Sequence, residues 1–306
     1  MLMNREGYIW LNDQFVDWKD AKIHCLTHTF HYGLGVLEGI RVYATDKGPA
    51  IFRLRDHINR LFQSARILHL PIDYSKEKLE TAQKELISKN NLKSAYIRPM
   101  IFYGAEYLGL HTDKLSSNVM LAAWDWGAYL GSDSLEKGIK VHISSLTRHY
   151  THRFLYKAKA NAHYMNSIFA LHEAKMNGCH EALFLDDQGY VAEGGGENIF
   201  IVKNEILYTP KLTYILEGIT RKTIFVLAAD CGLTVEEKNI TLYDIYTADE
   251  VFFTGTAVEV TPICMIDSKI IGHGQRGPIT QHLQKIYLNQ VKGKNKNHEE
   301  WLTFIE

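Results

Sequence analysis

The second half of the chain consists of short apolar runs separated by glycine-rich turns. Four of these runs have the length and the β-branched or aromatic content of strands: "IKVHISSL", "EALFLD", "ENIFIVKN" and "EVFFTG". Two helical segments, near residues 161–177 and 220–231, interrupt the runs. A doubly wound sheet requires regular alternation of strands and helices, so this order argues against that fold. It predicts an α+β protein whose second lobe is large and mostly antiparallel or barrel-like.

The first half of the chain predicts strands packed with helices. Residues 53–70 carry one apolar stripe at helical spacing, and Pro71 ends that helix. A second helix begins at Ser75. Two apolar, β-rich runs follow, at residues 95–104 and 118–126. A glycine- and serine-rich boundary comes next, at residues 127–138. We therefore predict a small N-terminal lobe, an interdomain linker and a large C-terminal lobe: 1–125, 126–135 and 136–306.

Composition limits the classes of function. Apolar residues make up 46% of the chain and charged residues 23%, which is ordinary for a globular protein with a buried core. The net charge of −1 arises from interspersed signs, so we expect neither a nucleic-acid surface nor a membrane-binding surface. No stretch reaches the ~18 apolar residues of a membrane span. The segment "MLMNREGYIWLNDQF" does not resemble a signal peptide.

The cysteine and histidine patterns do not indicate a metal site. The four cysteines are dispersed without a CxxC pair: Cys25, Cys179, Cys231 and Cys264. This pattern predicts a reduced, cytoplasmic protein without a disulfide framework or a structural zinc site. His24, His28 and His31 would share one face of a helix. Their segment offers no acidic partner, so we expect no metal site there.

A literal dinucleotide-binding pattern, "GHGQRG", occupies residues 272–277. Pro278 follows this pattern directly. A dinucleotide-binding loop would instead continue into a full βαβ unit. We therefore interpret the segment as a glycine turn that leads into a proline-started helix.

The segment "AEGGGENIF" (192–200) places three glycines between Glu193 and Glu197. Consecutive glycines indicate a backbone at positive φ or in close contact with another group. A glutamate buried beside such a turn needs a cation or a proton donor as its partner. A solvated hairpin turn is the alternative.

Two further segments can bind an anion. The segment "EGITRKTIFVLAADCG" (217–232) predicts a helix with Thr220 as N-cap and Gly232 beyond its end, which leaves N–H groups at the positive helix end. The segment "FFTGTAVEVTP" (252–262) brings hydroxyls and amides to the end of a strand. Each is also compatible with an ordinary cap or turn.

The segment "FLYKAKANAHYMNS" (154–167) carries Lys157 and Lys159 with no acidic residue nearby in sequence. In an extended conformation both lysines face one side and the alanines face the other. A lysine in a partly desolvated pocket has a lowered pKa and can form a Schiff base, whereas most lysines are solvated. The segment alone leaves both interpretations open.

Together these segments supply a reactive amine, an acid beside a glycine turn and two anion-binding turns, which pyridoxal phosphate requires of a protein. From about residue 7 to about 280, the chain also resembles the fold-type IV pyridoxal-phosphate aminotransferases, and among them the bacterial branched-chain-amino-acid aminotransferases. Seven segments carry the resemblance in order: "HYGLGVLEGIRVY", "SAYIRPMIFYG", "WGAYLG", "AKANAHYMNS", "YVAEGGGENIF", "LEGITR" and "FFTGTAVEVTP".

The resemblance implies a small N-terminal α/β lobe and a larger barrel-like C-terminal lobe, with the cofactor between them. It implies a homodimer or an assembly of dimers, because the partner completes each pocket in this family. It also implies Lys159 as the catalytic Schiff-base lysine, with Tyr164 on the cofactor's phenolic oxygen and Glu193 on its pyridine nitrogen.

Further roles follow from the same resemblance. The implied phosphate ligands are Arg60, Ile219, Thr220 and Thr256. Leu216 is implied to pack on the ring of the cofactor. The implied ligands of the substrate α-carboxylate are Tyr96 and the amides of Thr256 and Ala257. The implied apolar pocket comprises Tyr32, Leu37, Trp126 and Tyr129, and Arg98 with Tyr32 would receive the distal carboxylate of glutamate.

The implied reaction is ping-pong transamination between branched-chain L-amino acids (leucine, isoleucine and valine) and 2-oxoglutarate. D-amino-acid aminotransferase and aminodeoxychorismate lyase share the fold and stay as alternatives, and a non-catalytic nucleotide-binding protein is the alternative from another class. The chain departs from the family in the segment 149–163, in the loop 104–118 and at Leu37. These departures concern the range of substrates more than the cofactor chemistry.

Overall fold

The computed structural model describes residues 5–127, 133–148, 155, 157–213 and 215–305. The chain folds as two compact units. Unit 1 comprises Met1–Gly127, Ala158–Ala162 and Gln290–Glu306, and unit 2 comprises Ala128–Lys157 and His163–Asn289. The predicted lobes are continuous segments, and their boundaries stay a prediction.

The strands and helices follow the chain in this order. The strands are β1 (Tyr8–Leu11), β2 (Gln14–Asp17), β3 (Gly35–Leu37), β4 (Ile40–Thr45), β5 (Gly48–Phe52), β6 (Ala95–Tyr103), β7 (Ser117–Trp124), β8 (Ile139–Thr147), β9 (Glu181–Leu185), β10 (Val191–Gly194), β11 (Asn198–Lys203), β12 (Ile206–Pro210), β13 (Val235–Lys238), β14 (Glu250–Gly255), β15 (Glu259–Ile266), β16 (Lys269–Ile270) and β17 (Leu302–Phe304). The helices are α1 (His28–Tyr32), α2 (Leu54–Ile67), α3 (Lys76–Lys89), α4 (Ser134–Lys137), α5 (Tyr164–Met176), α6 (Ile219–Asp230), α7 (Leu242–Tyr246) and α8 (Pro278–Val291).

Unit 1 contains an antiparallel sheet with the order β17-β5-β4-β6-β7-β1-β2, and β3 pairs with β6. The predicted stripe of α2 is confirmed, because Leu54, Ile58 and Leu61 are each 1% exposed and pack in the unit's core. The predicted start of α3 is also confirmed. Ser75 Oγ accepts a hydrogen bond from Lys78 N–H at 3.1 Å, as an N-cap should.

Unit 2 contains a mixed sheet with the order β10-β9-β8-β15-β14-β11-β12-β13, and β16 pairs with β15. β8 is parallel to both β9 and β15, and β12 is parallel to β13, while the other pairs are antiparallel. All four runs that the sequence analysis predicted as strands are strands. Among the described helices, none has the length and the hydropathy needed to cross a bilayer.

The predicted start of α6 is wrong by two residues. Gly218, not Thr220, is the N-cap, because Gly218 is the last residue with extended backbone before Ile219 turns helical. Thr220 lies in the first turn and is 3% exposed. The other end agrees with the prediction, since Gly232 has a φ of 73° just beyond the C-cap Cys231.

The glycine motif at 272–277 is a turn that leads into α8. Gly272 and Gly274 have positive φ values of 52° and 72°. The carboxylate of Glu250 accepts hydrogen bonds from the N–H groups of Ile279 at 2.9 Å and Thr280 at 2.7 Å. A side chain of the protein therefore already occupies the helix start, where a pyrophosphate would have to bind.

The histidines of 24–31 do not share a helical face, because α1 begins only at His28. His28 Nε2 donates to Gly109 O at 2.8 Å, and His31 Nε2 donates to Cys25 O at 2.9 Å. His24 Nδ1 accepts from the N–H of Leu26 at 3.1 Å. Each ring thus serves a different backbone group.

Candidate active site

Lys159 is held in unit 1 by its backbone. Its N–H donates to Ser64 Oγ at 3.0 Å, and its carbonyl accepts from Leu37 N–H at 3.0 Å. The neighbouring Ala158 and Ala160 are 1% and 3% exposed, while the Lys159 side chain is half-buried. The alanines therefore anchor the segment in the core and leave the lysine on the opposite side, as the alternation predicts.

Lys157 has a different environment, in unit 2. Its ammonium donates to the carbonyl of Leu212. Burial lowers the pKa of Lys157, while the carboxylates of Glu217 and Glu193 act in the opposite direction. A bond to a neighbouring loop indicates that Lys157 is a supporting charge.

One face of α2 carries Arg60 into a buried charge cluster in unit 1. Arg60 Nε donates to Glu38 Oε1 at 2.6 Å and Nη2 donates to Oε2 at 2.9 Å. His57 Nδ1 lies 2.7 Å from the same Oε2, and Ser64 follows on the same face. This geometry is a two-pronged arginine–carboxylate pair with a histidine behind it.

The cluster has defined protonation states. Burial raises the pKa of Glu38, but Arg60 and His57 outweigh burial and hold that pKa well below its ordinary value. Burial lowers the pKa of His57 more than the neighbouring carboxylate raises it. Glu38 is therefore ionised, and His57 is a neutral ring that donates its Nδ1–H.

Tyr96, a predicted carboxylate ligand in unit 1, packs against two tryptophan rings. Its ring lies 4.2 Å from that of Trp126 and 5.4 Å from that of Trp124. A Cβ on Gly39 would lie 1.8 Å from the Tyr96 hydroxyl, so only glycine permits this position of the tyrosine. Leu37 is buried, while Tyr32 is 45% exposed.

Arg98 is suited to a carboxylate ligand. Its Nη2 donates to the Tyr96 hydroxyl at 3.4 Å, whereas its buried Nε has no hydrogen-bond partner among the described residues. A buried donor without a partner is unfavourable by about 1–3 kcal/mol, so an acceptor from a ligand would stabilise it. Tyr129, the remaining predicted pocket residue, lies outside the described residues.

Glu193 is the centre of the corresponding residues in unit 2. Its Oε1 accepts from Arg148 Nε at 3.0 Å, and its Oε2 accepts from Asn198 Nδ2 at 3.3 Å and from Leu216 N–H at 3.2 Å. Glu193 is 4% exposed and Arg148 is 6% exposed. Charge-assisted bonds of this kind stabilise the ionised carboxylate.

Asn198 connects Glu193 to the start of α6. The amide Nδ2 also donates to Leu216 O at 3.0 Å, and a Cβ on Gly218 would lie 1.9 Å from Asn198 Oδ1. Lys222 N–H makes the first intrahelical bond, to Gly218 O at 3.0 Å. The N–H groups of Ile219 and Thr220 precede that bond, so the helix start offers donors and a positive dipole end to an anion.

The remaining predicted residues of unit 2 are partly accessible. Thr256 and Ala257 are half-buried in the turn between β14 and β15, and nearby Thr254 has a buried hydroxyl without a hydrogen-bond partner among the described residues. Tyr164 begins α5 and is half-buried. Hydroxyls and backbone amides are the donors that a phosphate requires, so the residues present fit a phosphate-bearing cofactor.

The glycine-rich turn is explained by close approach and not by positive φ. A Cβ on Gly194 would lie 2.7 Å from Glu197 Oε2, and one on Gly195 would lie 2.8 Å from Glu181 Oε1. Both carboxyl groups are buried. The interpretation as a solvated hairpin turn is therefore wrong for this pair, because two acids occupy the space that side chains would fill.

These two acids hold a proton at neutral pH. Burial, followed by the charge of Glu181, raises the pKa of Glu197 to about 8. Burial also raises the pKa of Glu181. Glu197 Oε2 accepts from Gly196 N–H at 2.9 Å. The protonated form of Glu197 is favoured because burial removes the carboxylate from water and the charges of Glu181 and Glu193 oppose its ionisation.

The unusual segment after Lys159 packs against glycines in unit 1. The Ala162 Cβ lies 3.3 Å from where a Cβ on Gly33 would be, and Asn161 Oδ1 lies 3.1 Å from the same position on Gly35. Asn161 Oδ1 is buried without a hydrogen-bond partner among the described residues. His149, His152 and Arg153 of the same segment lie outside the described residues.

Sequence reasoning missed the partners of the predicted residues. Arg148, Asn198, Glu38 and His57 were not among the candidates, although each contacts a candidate directly or through one shared carboxylate. A signal existed for α2, where His57, Arg60 and Ser64 interrupt the apolar pattern at helical spacing. The roles of all the predicted site residues stay predictions.

Comparison with known proteins gives consistent relatives. A family model described as amino-transferase class IV matches residues 35–266. A branched-chain-amino-acid aminotransferase of Pseudomonas aeruginosa is 52% identical over 305 residues, which cover 100% of this chain and 99% of the relative. A crystal structure of the Escherichia coli branched-chain amino acid aminotransferase has a TM-score of 0.96 at 41% identity, and covers 99% of this chain and 100% of that one. A crystal structure of the T.th. enzyme of the same name, with pyridoxamine 5'-phosphate, has a TM-score of 0.96 at 44% identity and covers 99% of both chains.

The buried acid pair predicts a stability that depends on pH. The pKa of Glu197 is about 8 in the folded chain and near the ordinary 4.5 when unfolded. Between these values the unfolded chain loses a proton that the folded chain keeps, so stability falls as pH rises. Glu197→Gln removes this penalty, and we expect its free energy of unfolding to exceed wild type by about 1–3 kcal/mol at pH 8, and by less at pH 5.

Urea denaturation of both proteins at pH 5 and pH 8 measures this difference. Glu236→Gln, on the exposed side of β13, is the control and should leave stability nearly unchanged at either pH. An equal effect of Glu197→Gln at both pH values would contradict the assigned protonation.

Proposed function

Because this chain belongs to the amino-transferase class IV family, whose fold class is the one expected from the sequence, we propose that it is a pyridoxal-phosphate-dependent branched-chain-amino-acid aminotransferase. It transfers the amino group of L-leucine, L-isoleucine or L-valine to 2-oxoglutarate. The observation that carries the proposal is the buried Glu193 carboxylate, which Asn198 ties to a helix start with N–H donors. That combination suits a cationic ring nitrogen and a phosphate on one molecule.

Bound pyridoxal 5'-phosphate supplies an electron sink that allows the Cα–H bond of an amino acid to break. We assign the movement of that proton to Lys159, whose amine takes it from Cα and returns it to C4' of the cofactor. Glu193 accepts a hydrogen bond from the protonated pyridine nitrogen and so keeps the proton there. Tyr164 donates to the phenolic oxygen.

We assign the phosphate to donors from several segments. They are Arg60, the start of α6 at Ile219 and Thr220, and Thr256, and we place Leu216 against the ring. The support is chemical: the α6 start combines N–H donors with a positive dipole end, and arginine presents a planar fork that matches phosphate geometry.

For the substrate, we assign the α-carboxylate to Tyr96 and to the backbone amides of Thr256 and Ala257. The buried Nε of Arg98, unpartnered among the described residues, supports binding of a second carboxylate, as glutamate and 2-oxoglutarate require. Apolar side chains would pack against the predicted pocket, which comprises Tyr32, Leu37, Trp126 and Tyr129. The lyase and D-amino-acid alternatives are not favoured, because the relatives are branched-chain aminotransferases.

We also propose that the protein acts in the cytoplasm as a homodimer or an assembly of dimers. Unpaired cysteines favour a reducing compartment. Helix α5 presents an apolar stripe to the exterior, with Met165 66%, Ile168 52%, Phe169 58% and Met176 82% exposed. Exposed apolar patches often mark contacts between protein chains, and we assign a second copy of this chain as the occupant.

Replacement of the two lysines tests the catalytic assignment. Lys159→Ala should lose the visible absorption of the bound cofactor and lower kcat by about 10⁴-fold or more, because it removes the amine that forms the Schiff base and moves the proton. Lys157→Ala is the matched control, two residues away, and should keep both properties. Loss of the absorption band in Lys157→Ala and not in Lys159→Ala would reverse the assignment.

A panel of amino acids with 2-oxoglutarate as acceptor tests the substrate. We expect the highest kcat/KM for L-leucine, L-isoleucine and L-valine, with little activity towards their D-enantiomers. Arg98→Met should raise KM for 2-oxoglutarate about 10-fold or more and affect L-leucine less, since only the former has a distal carboxylate. Activity confined to D-alanine or D-glutamate would refute the proposal.

Sedimentation velocity tests the assembly. The double replacement Ile168→Lys and Phe169→Lys puts two charges on the α5 stripe, and we expect the assembly to dissociate at micromolar concentration. Tyr243→Lys, at a residue 76% exposed on α7, is the control and should leave the assembly intact. A wild-type protein that sediments as a monomer would contradict the assignment of a second copy.

A further inference from the structure

One edge of the Arg60 guanidinium binds a carboxylate of the protein. Its Nε and Nη2 bind the two oxygens of Glu38 at 2.6 Å and 2.9 Å, and the arginine side chain is only 11% exposed. Glu38 itself is fully buried, in the short segment between β3 and β4. A buried carboxylate is tolerated only when it is paired. Glu38 therefore needs Arg60 as its partner, and the two-pronged contact holds the guanidinium in one orientation.

His57 fixes Glu38 from the other side. Its Nδ1–H binds Glu38 Oε2 at 2.7 Å, one turn before Arg60 on α2, and the ring is 1% exposed. Because the histidine is neutral, it orients the carboxylate without competing as a second cation for its charge. Arg60 therefore binds a fully charged carboxylate that is held in a fixed position.

We propose that Glu38, supported by His57, is a positioning residue that aims the guanidinium of Arg60 at the phosphate of the cofactor. The inference rests on the proposed function, in which Arg60 is a phosphate ligand. Arg60 would donate to a phosphate from the Nη1 end of its guanidinium, since the Nε–Nη2 edge binds Glu38. Arginine has a long and flexible side chain, and its hydrogen bonds to phosphate depend on the orientation of the planar fork.

Two effects of Glu38 on phosphate binding oppose each other. Its negative charge partly cancels that of Arg60 and so weakens attraction to an anion. Its bidentate contact fixes the fork in advance, so that binding a phosphate orders the arginine no further. The inference is that orientation outweighs charge, and Glu38→Asp separates the two. This variant keeps the charge, but the carboxylate is one methylene shorter and cannot hold both prongs at their present distances.

The test is the affinity of the purified protein for pyridoxamine 5'-phosphate and for pyridoxamine, measured by equilibrium dialysis without substrate. Both compounds carry the same ring, so the ratio of their dissociation constants isolates the phosphate contribution. We expect Glu38→Asp and Glu38→Gln to lower the affinity for pyridoxamine 5'-phosphate about 10-fold or more. The affinity for pyridoxamine should change little.

Two further variants sharpen the result. Arg60→Lys alone should reduce the preference for pyridoxamine 5'-phosphate over pyridoxamine. Combined with Glu38→Asp it should reduce that preference little further, since both changes remove the same oriented fork. Glu80→Gln is the matched control, because Glu80 pairs with Arg55 of α2 at 3.7 Å on the surface. It should bind both compounds as wild type does.

Each other outcome overturns the inference in a recognisable way. Equal losses for both compounds would mean that Glu38 only maintains the fold, and tighter binding of pyridoxamine 5'-phosphate by Glu38→Gln would mean that charge outweighs orientation. If Glu38→Gln does not fold, Glu38→Asp and His57→Gln give the same comparison. A wild-type protein that does not distinguish the two compounds would refute the role of Arg60 in the proposed function, before any variant is made.

Discussion

The ion pair between Arg148 and Glu193 is the interaction on which the rest of the site in unit 2 depends. Neither charge is stable alone in a buried position, and each is 6% exposed or less. Arg148 also donates to Ser167 of α5 and to the carbonyls of Gly194 and Gly195. The guanidinium thus fixes a helix, a turn and a carboxylate relative to one another.

Unit 1 uses the same principle with the charges reversed. There the buried carboxylate of Glu38 orients the arginine that the proposal assigns to a ligand, whereas in unit 2 a buried arginine orients the carboxylate. In both cases the residue assigned to the cofactor is held by a partner that needs no ligand. Such preorganisation leaves less motion to be lost on binding. Burial of acidic groups next to this site has a cost in stability, which the raised pKa values of Glu181 and Glu197 reflect.

Local patterns predicted the parts of the structure that depend on near neighbours. The apolar stripe of α2, the N-cap Ser75 and the four strands of the second half all follow from spacing within one element. The error at the start of α6 has a local cause, because Gly218 and Thr220 are both acceptable N-caps. The contact between Gly218 and Asn198 decides between them, and those residues are 20 positions apart.

The sequence by itself determined the order of the elements, the candidate lysine and acid, and the resemblance that pointed to the family, because these are carried by residue types at fixed spacing. Only the tertiary structure decided which charges meet. Arg148 lies 45 residues from Glu193, and Glu38 lies 22 residues from Arg60. The protonation states depend on the same long-range contacts, since the Glu197 carboxyl keeps its proton because of burial and neighbouring charges. Burial and long-range pairing arise from packing between distant segments, and no local periodicity records them.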